Sequence, residues 1–278
     1  MVVTAIWGCT FVVVKLALAD ASPLPFLAVR FMLAGLLLLA ILGRGQVDRR
    51  TIFPGSVLGF FLFAGYLFQT WGLVYTTPSK SAFLTGFSVI LVPAIMTLSG
   101  FRMGSATALG GVLGLAGIYL LVAPSGMAAV NRGDILTLAG ALFFAIHIVL
   151  VGRYTKRFSF LHLVPVQILA VGLLSSVALF VVSHQTLHIT VRLVVAILVT
   201  AVLATGVAFS VQNWAQQYTP AAHTALIFAL EPVFAALSSW LTMGERLGGR
   251  VLLGAGSILA GMVVSEIWGA SLPSPVEG

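Results

Sequence analysis

Glu231 interrupts the apolar run ALIFALEPVFAAL, which holds no other ionisable side chain. A charge at the centre of a membrane helix costs about 2.5–3.5 kcal/mol on insertion scales, so such a carboxyl is neutral, paired or turned to water. Thr224, Glu231 and Ser238 recur every seven residues and share one helix face. Two accounts fit that face. Either it lines a cavity, with Glu231 as a proton or cation site, or Glu231 is a protonated group bonded to a neighbouring helix near the carbonyl that Pro232 frees.

Arg30 lies about 8 Å inside its own apolar run. Its planar fork suits a substrate carboxylate or a pairing with Asp20. Lys15, nearer the end of the first run, is expected to snorkel. Aligning the second half of the chain on the first sets Gln167 against Arg30 and His147 against Thr10. Histidine ordinarily titrates near neutral pH, which makes His147 the second candidate after Glu231 for carrying a proton. QTWGLVYT (Gln69 to Thr76) returns as QNWAQQYT (Gln212 to Thr219). Tyr75 and Tyr218 fit an interfacial aromatic belt, whereas Gln69, Gln212 and Asn213 lie deeper and need partners. These amides, with Trp71, Trp214, Thr85 and Ser88, are expected to line a cavity near its two gates. Trp7 and Tyr119 would pack against an apolar part of a bound molecule.

Other chemistries find no residues. There is no H-E-x-x-H, no G-x-x-x-x-G-K-[ST], and Asp20, Asp48 and Asp134 sit in or beside loops, so an enzyme or an ATP-driven pump is disfavoured. His184 and His188 lack a carboxylate partner, and the single Cys9 excludes a disulfide or a cysteine metal cluster within the chain. No cofactor and no metal are expected. The net charge of +7 is scattered between apolar runs, which suits anionic headgroups rather than nucleic acid.

The elements that must hold these groups follow from composition. The 278 residues are 60% hydrophobic and 8% charged, with a mean hydropathy of +1.12. Soluble domains carry about 25% charged residues, so this chain is an all-α integral membrane protein. Apolar runs between charge, Gly and Pro signals predict ten transmembrane helices, near 2–19, 25–42, 52–76, 80–99, 105–123, 134–153, 160–182, 191–214, 222–242 and 250–268. The first run is about 27 Å long, barely a span, so residues upstream of it are expected, and no basic n-region marks a signal peptide. Residues 269–278 read as a flexible tail. Arg44, Arg49, Arg50, Arg102, Arg153, Lys156 and Arg157 face Lys80, Arg132, Arg192, Arg246 and Arg250 across the bilayer, a bias toward cytoplasmic N- and C-termini.

Besides the doubled motif, LGGVLGLAG (Leu109 to Gly117) matches LGAGSILAG (Leu253 to Gly261), and Pro93 pairs with Pro232 at a slightly smaller offset. Five spans per unit is odd, so a second copy enters the membrane upside down. The expectation is two inverted five-helix repeats, residues 1–123 and 134–268, an architecture of secondary transporters. Gly55/Gly59 and Gly110/Gly114 have the spacing that brings helix backbones together.

IWGCTFVVVKLAL (Ile6 to Leu18), RFMLAGLLLL (Arg30 to Leu39), YTTPSKSAFLTGFSVILVPAI (Tyr75 to Ile95) and LEPVFAALSSWLTMGERL (Leu230 to Leu247) resemble the EamA family of the drug/metabolite transporter superfamily. The Glu-Pro pair followed by Gly-Glu-Arg is the most specific piece. The resemblance implies a central cavity and transport of small metabolites, often outward, with cargoes from amino acids to nucleosides and toxic cations. Two departures stand out. The first half reads SGFRMGS where the second reads MGERLGG, and the segment before the first tryptophan is short. The expected function is alternating-access export of amino acids or related compounds across the cytoplasmic membrane; the alternative is a passive channel or scaffold. Partners would be the small-molecule substrate, membrane lipids and a proton gradient if transport is coupled, with a monomer sufficing.

Overall fold

The computed structural model describes residues 1–42, 47–100, 104–122, 131–245 and 248–269. Arg44, Arg102, Arg246 and the tail beyond Gly269 lie outside them. Within them the chain is helical: α1 (Val2–Ala17), α2 (Pro23–Ile41), α3 (Ile52–Tyr75), α4 (Pro78–Thr85), α5 (Ser88–Leu98), α6 (Ser105–Val122), α7 (Arg132–Tyr154), α8 (Phe160–Ala178), α9 (Val191–Val199), a π-helical stretch (Thr200–Val207), α10 (Ala208–Ala215), α11 (Ala221–Phe228), α12 (Glu231–Met243) and α13 (Gly249–Gly269). Six segments are long and apolar enough to cross a membrane: Pro23–Ile41, Arg49–Tyr75, Pro78–Leu98, Arg132–Tyr154, Phe160–Ala178 and Val191–Ala215. The protein is thus an all-α, multi-pass membrane protein. Large apolar side chains such as Leu36, Phe60 and Leu173 stand on the outside of these segments, where hydrocarbon rather than water is the solvent.

The helix ends follow the local sequence. Pro23 and Pro78 sit in first turns, where their missing N–H costs nothing. Asn131 and Asp134 form a capping box on α7, Ser159 and Thr190 cap α8 and α9, and Gly244 closes α12 in the left-handed region at φ 66°. Two rods are broken rather than continuous. α4 stops at Thr85 and α5 restarts at Ser88; α11 stops at Phe228 and α12 restarts at Glu231. These breaks keep the offset of the doubled Trp and Tyr. Pro93 therefore lies inside α5 while Pro232 lies in the first turn of α12, so the two prolines expected to match do not occupy equivalent places.

Small residues set the packing. A Cβ on Gly117 would lie 2.5 Å from the Gly254 carbonyl oxygen, and one on Gly261 would lie 2.6 Å from that of Gly110. Ser257 donates to the Leu113 carbonyl at 2.8 Å. The pairing runs in opposite directions along the two chains, so α6 and α13 are antiparallel. Gly35 against Leu169 and Gly172 against Met32 make α2 and α8 antiparallel as well. Gly55 and Gly59 meet Val166, Gln167 and Ala170 on α8.

One end of the bundle is rich in ionic and polar links. Arg192 donates two hydrogen bonds of 2.7 Å to Asp20, and Thr190 adds a third of 2.8 Å. The bond from Arg192, then that from Thr190, hold the Asp20 carboxyl down to about 2. Asp20 thus pairs with Arg192, not Arg30. Lys80 meets Asp134 at 2.6 Å, and Thr77 and Ser79 donate to Glu245. Lys15 does not simply snorkel: its Nζ donates to the Leu73, Val74 and Thr76 carbonyls at 2.7, 3.1 and 3.0 Å, closing the C-terminal end of α3.

Candidate functional site

A cavity of roughly 780 Å³, its mouth included, lies between α1, α2, α3, α7, α10 and the two helix breaks. Thr85, Gly86 and Ser88 at the first break and Phe228 and Glu231 at the second line it directly. Much of its wall is aromatic. Trp7 stands 5.2 Å from Phe209 and 4.9 Å from Phe228, and Tyr66 stands 5.1 Å from Phe144.

Of the residues expected from sequence, Trp7, Thr10, Arg30, Gln69, Thr85, Ser88, His147, Gln212 and Glu231 line this cavity. Gln167 and Asn213 are fully buried behind it. Trp71, Trp214 and Tyr119 are not in its wall; Trp214 and Tyr119 are 52% and 65% exposed on the outside of the bundle. Their rings face the surroundings, as belt residues do. On the Thr224–Glu231–Ser238 stripe only Glu231 reaches the cavity, since Thr224 and Ser238 bond the Pro220 and Ala235 carbonyls of their own stretch.

Arg30 is 3% exposed. Its Nε donates to Thr205 Oγ1 at 3.0 Å, and its guanidinium carbon sits 4.8 Å from the Phe31 ring and 5.0 Å from the Tyr66 ring. Two aromatic faces and one hydroxyl thus support a buried cation. Thr205 belongs to the π-helical stretch, and the preceding Ala204 carbonyl accepts from Trp7 Nε1 at 2.8 Å. A π turn changes which backbone carbonyls find helix partners. Here side chains from α1 and α2 hold both residues.

Glu231 begins α12 and is 9% exposed. Among the described residues its carboxyl has no hydrogen bond and no ion pair. The close approach of α1 comes from Gly8, whose absent side chain lets it meet the Glu231 carbonyl oxygen.

Two amide chains reach the cavity, one at Gln212 and one at His147. Gln216 Nε2 donates to the Ile148 carbonyl at 2.9 Å, and Gln212 Nε2 donates to Gln216 Oε1 at 3.0 Å. Asn213 Nδ2 donates to the Phe209 carbonyl at 2.9 Å, Gln167 Nε2 donates to Asn213 Oδ1 at 3.1 Å, and Gln167 Oε1 meets His147 Nε2 at 2.8 Å. A backbone carbonyl can only accept, so each chain has a fixed direction. His147 must therefore donate through Nε2, which leaves Nδ1 as the acceptor of the neutral ring.

Several wall residues carried no signal when read alone. Tyr66, Phe144, Phe209 and Phe228 are ordinary members of apolar runs, and only packing turns them inward. Gln216 lies inside the doubled motif, where Leu73 holds the matching place, and that difference was available as a signal. Among the described residues no group of three or more His, Cys, Asp or Glu could hold a metal ion.

Comparison with known proteins agrees with this architecture. The model of the EamA-like transporter family matches twice, over residues 1–123 and 131–266. An uncharacterized transporter of Archaeoglobus fulgidus is 37% identical over 95% of this chain and 83% of its own length. A probable amino-acid metabolite efflux pump of Escherichia coli is 25% identical over 95% of this chain and 92% of its own. A crystal structure with a TM-score of 0.77 and 20% identity covers 98% of this chain and 96% of the other, which establishes the shared fold. The chain belongs to the EamA-like transporter family of the drug/metabolite transporter superfamily, and is a multi-pass membrane protein that moves small molecules.

Proposed function

We propose that the protein is an alternating-access secondary transporter that exports amino acids or related small metabolites across the cytoplasmic membrane. The observation that carries this reading is the cavity between helices of both halves, with a buried guanidinium and a buried, unpartnered carboxyl in its wall. Arg30 suits a carboxylate and Glu231 a cationic group or a proton. Aromatic rings between them suit an apolar side chain. The name carried by the Escherichia coli relative points the same way.

The cycle is one of two inverted repeats, residues 1–123 and 134–268, each of five membrane helices. Three observations support that division. The family model matches twice. α2 and α8 are antiparallel, as are α6 and α13, although each pair holds corresponding places in the two halves. The close packings of α3 with α7 and of α1 with the π stretch and α10 exchange when the halves are exchanged. Rocking of one half on the other then opens the cavity to each side in turn. Both termini are cytoplasmic, one chain suffices, and a proton enters through Glu231, with His147 as the second candidate.

The test is exchange in proteoliposomes containing the purified chain. Internal unlabelled phenylalanine or leucine should accelerate uptake of the same labelled amino acid, and Glu231→Gln should remove the response of that uptake to an imposed pH gradient. Uptake that never saturates and ignores internal substrate would support a channel instead. An unchanged pH response in Glu231→Gln would remove Glu231 as the proton carrier.

A further inference from the structure

Among the described residues three buried side-chain atoms lack a hydrogen-bond partner: His162 Nδ1, Gln185 Oε1 and Gln212 Oε1. Only Gln212 lines the cavity, and it is 3% exposed. Exchanging its amide O and N does not repair the deficit. The Ile148 carbonyl fixes Gln216 as a donor through Nε2, so Gln216 presents Oε1 to Gln212, and Gln212 must answer with its own Nε2. The oxygen left over is set by the backbone at the far end of the chain of bonds.

The same logic makes Nδ1 the acceptor of His147, another residue of the cavity wall. The Glu231 carboxyl, which accepts in either protonation state, is the third group. The wall built from the second half thus offers acceptors, while Arg30, from the first half, offers donors.

We propose that Gln212 Oε1, together with the Glu231 carboxyl, reads the N–H bonds of a primary ammonium group on the cargo and so sets specificity against quaternary amines. A primary ammonium carries three donors and can satisfy separate acceptors at once. A trimethylammonium group carries the same charge and can sit against the rings of Trp7, Phe209 and Phe228, but leaves Gln212 Oε1 buried and unpaired. This proposal rests on the reading of the cavity as the transport site.

The experiment is calorimetric titration of the detergent-purified chain with phenethylamine and with its N,N,N-trimethyl analogue. The wild type should prefer phenethylamine by about tenfold or more, the worth of one hydrogen bond to a charged group. In Gln212→Leu that ratio should fall to near one, through weaker phenethylamine binding, while binding of the trimethyl analogue stays within about twofold and shows the cavity intact. Gln212→Glu as the neutral acid donates its O–H to Gln216 Oε1 while its carbonyl oxygen stays an acceptor, so it should keep the preference, which covers the case in which the leucine variant fails to fold. Equal affinity of the two amines in the wild type overturns the proposal, as does a preference that persists in Gln212→Leu. Absence of binding by both amines also overturns it. Accelerated exchange of amino acids in vesicles would then leave the transport reading standing on its own.

Discussion

Gln69 and Gln212 are separated by the same offset that joins Trp71 to Trp214 and Tyr75 to Tyr218. In the first half, Gln69 donates to Thr85 Oγ1 at 2.9 Å, across the cavity wall at the helix break. In the second half the residue matching Thr85 is Phe228, so Gln212 finds no hydroxyl there and turns to Gln216 instead. Arg30 and Gln167 differ in the same way. The arginine lines the cavity on a hydroxyl and two rings, and the glutamine withdraws into a fully buried chain of amides. The comparison teaches that the matching positions share a motif and an offset, and that a few neighbouring residues decide which partner each of two matching amides takes and leave the oxygen of Gln212 without one. A buried acceptor without a partner costs about 1–3 kcal/mol, so such a residue persists at a cost that occupancy of the cavity can offset.

The strongest way to break the asymmetry acts on the donor wall. Arg30→Lys keeps the charge but replaces a planar fork by a point charge and shortens the reach to Thr205. Transport of carboxylate-bearing cargo should fall at least about tenfold, the loss of one charge-assisted hydrogen bond. Rates of Arg30→Lys and wild type measured in parallel vesicles check this, and equal rates would leave Arg30 a structural role only.

A second test concerns what the halves share. Gly117→Ala and Gly261→Ala each drive a Cβ into a carbonyl oxygen of the facing helix. Each should destabilise by about 1–3 kcal/mol, the usual cost of overpacking, and the two should agree because each glycine meets the same kind of partner in the other half. Thermal denaturation in detergent measures both. A large loss from one and none from the other would show that the α6–α13 seam is not an exchange of equivalent contacts.

The smallest effect belongs to the end of the bundle where Asp20 meets Arg192. The folded carboxyl sits near 2, below its ordinary value, so the pair stabilises above about pH 4 and loses that contribution as pH falls toward 2. Asp20→Asn should lower the melting temperature slightly at neutral pH and flatten its fall between pH 4 and 2. A melting curve as pH-sensitive as the wild type's would assign that fall to other carboxyls.

Much of this could be read from residue order because hydrocarbon imposes a simple rule. Apolar runs must be helical, since backbone polar groups find no other partners there. Pro23, Pro78, Asn131 and Ser159 then mark where helices begin. The doubled QxWxxxYT motif located the deep amides for the same reason, since polar groups are rare enough in such runs to stand out. Trp71, Trp214 and Tyr119 stand outside the cavity wall, which residue order does not decide, because a tryptophan or tyrosine in an apolar helix suits the lipid belt and a cavity wall equally well. The breaks at Gly86–Phe87 and Ala229–Leu230 carry only a single glycine and the first-turn Pro232, signals that an apolar run also tolerates without breaking. The π stretch at Thr200–Val207 has no such signature, since TAVLATGV reads as an ordinary apolar helix.

By itself, then, the order of residues determined the class of solvent, the helical runs, the doubled motif and the presence of isolated polar groups in apolar runs. These are local or periodic properties, which each segment carries before it meets any other. Only the tertiary structure decided that Asp20 belongs to Arg192, that Arg30 and Trp7 grip the π stretch, and that Gln212 is left with a free oxygen. Hydrogen-bond partners are assigned by competition among groups brought together from distant helices, and the outcome at Gln212 was fixed by a carbonyl on another helix, that of Ile148.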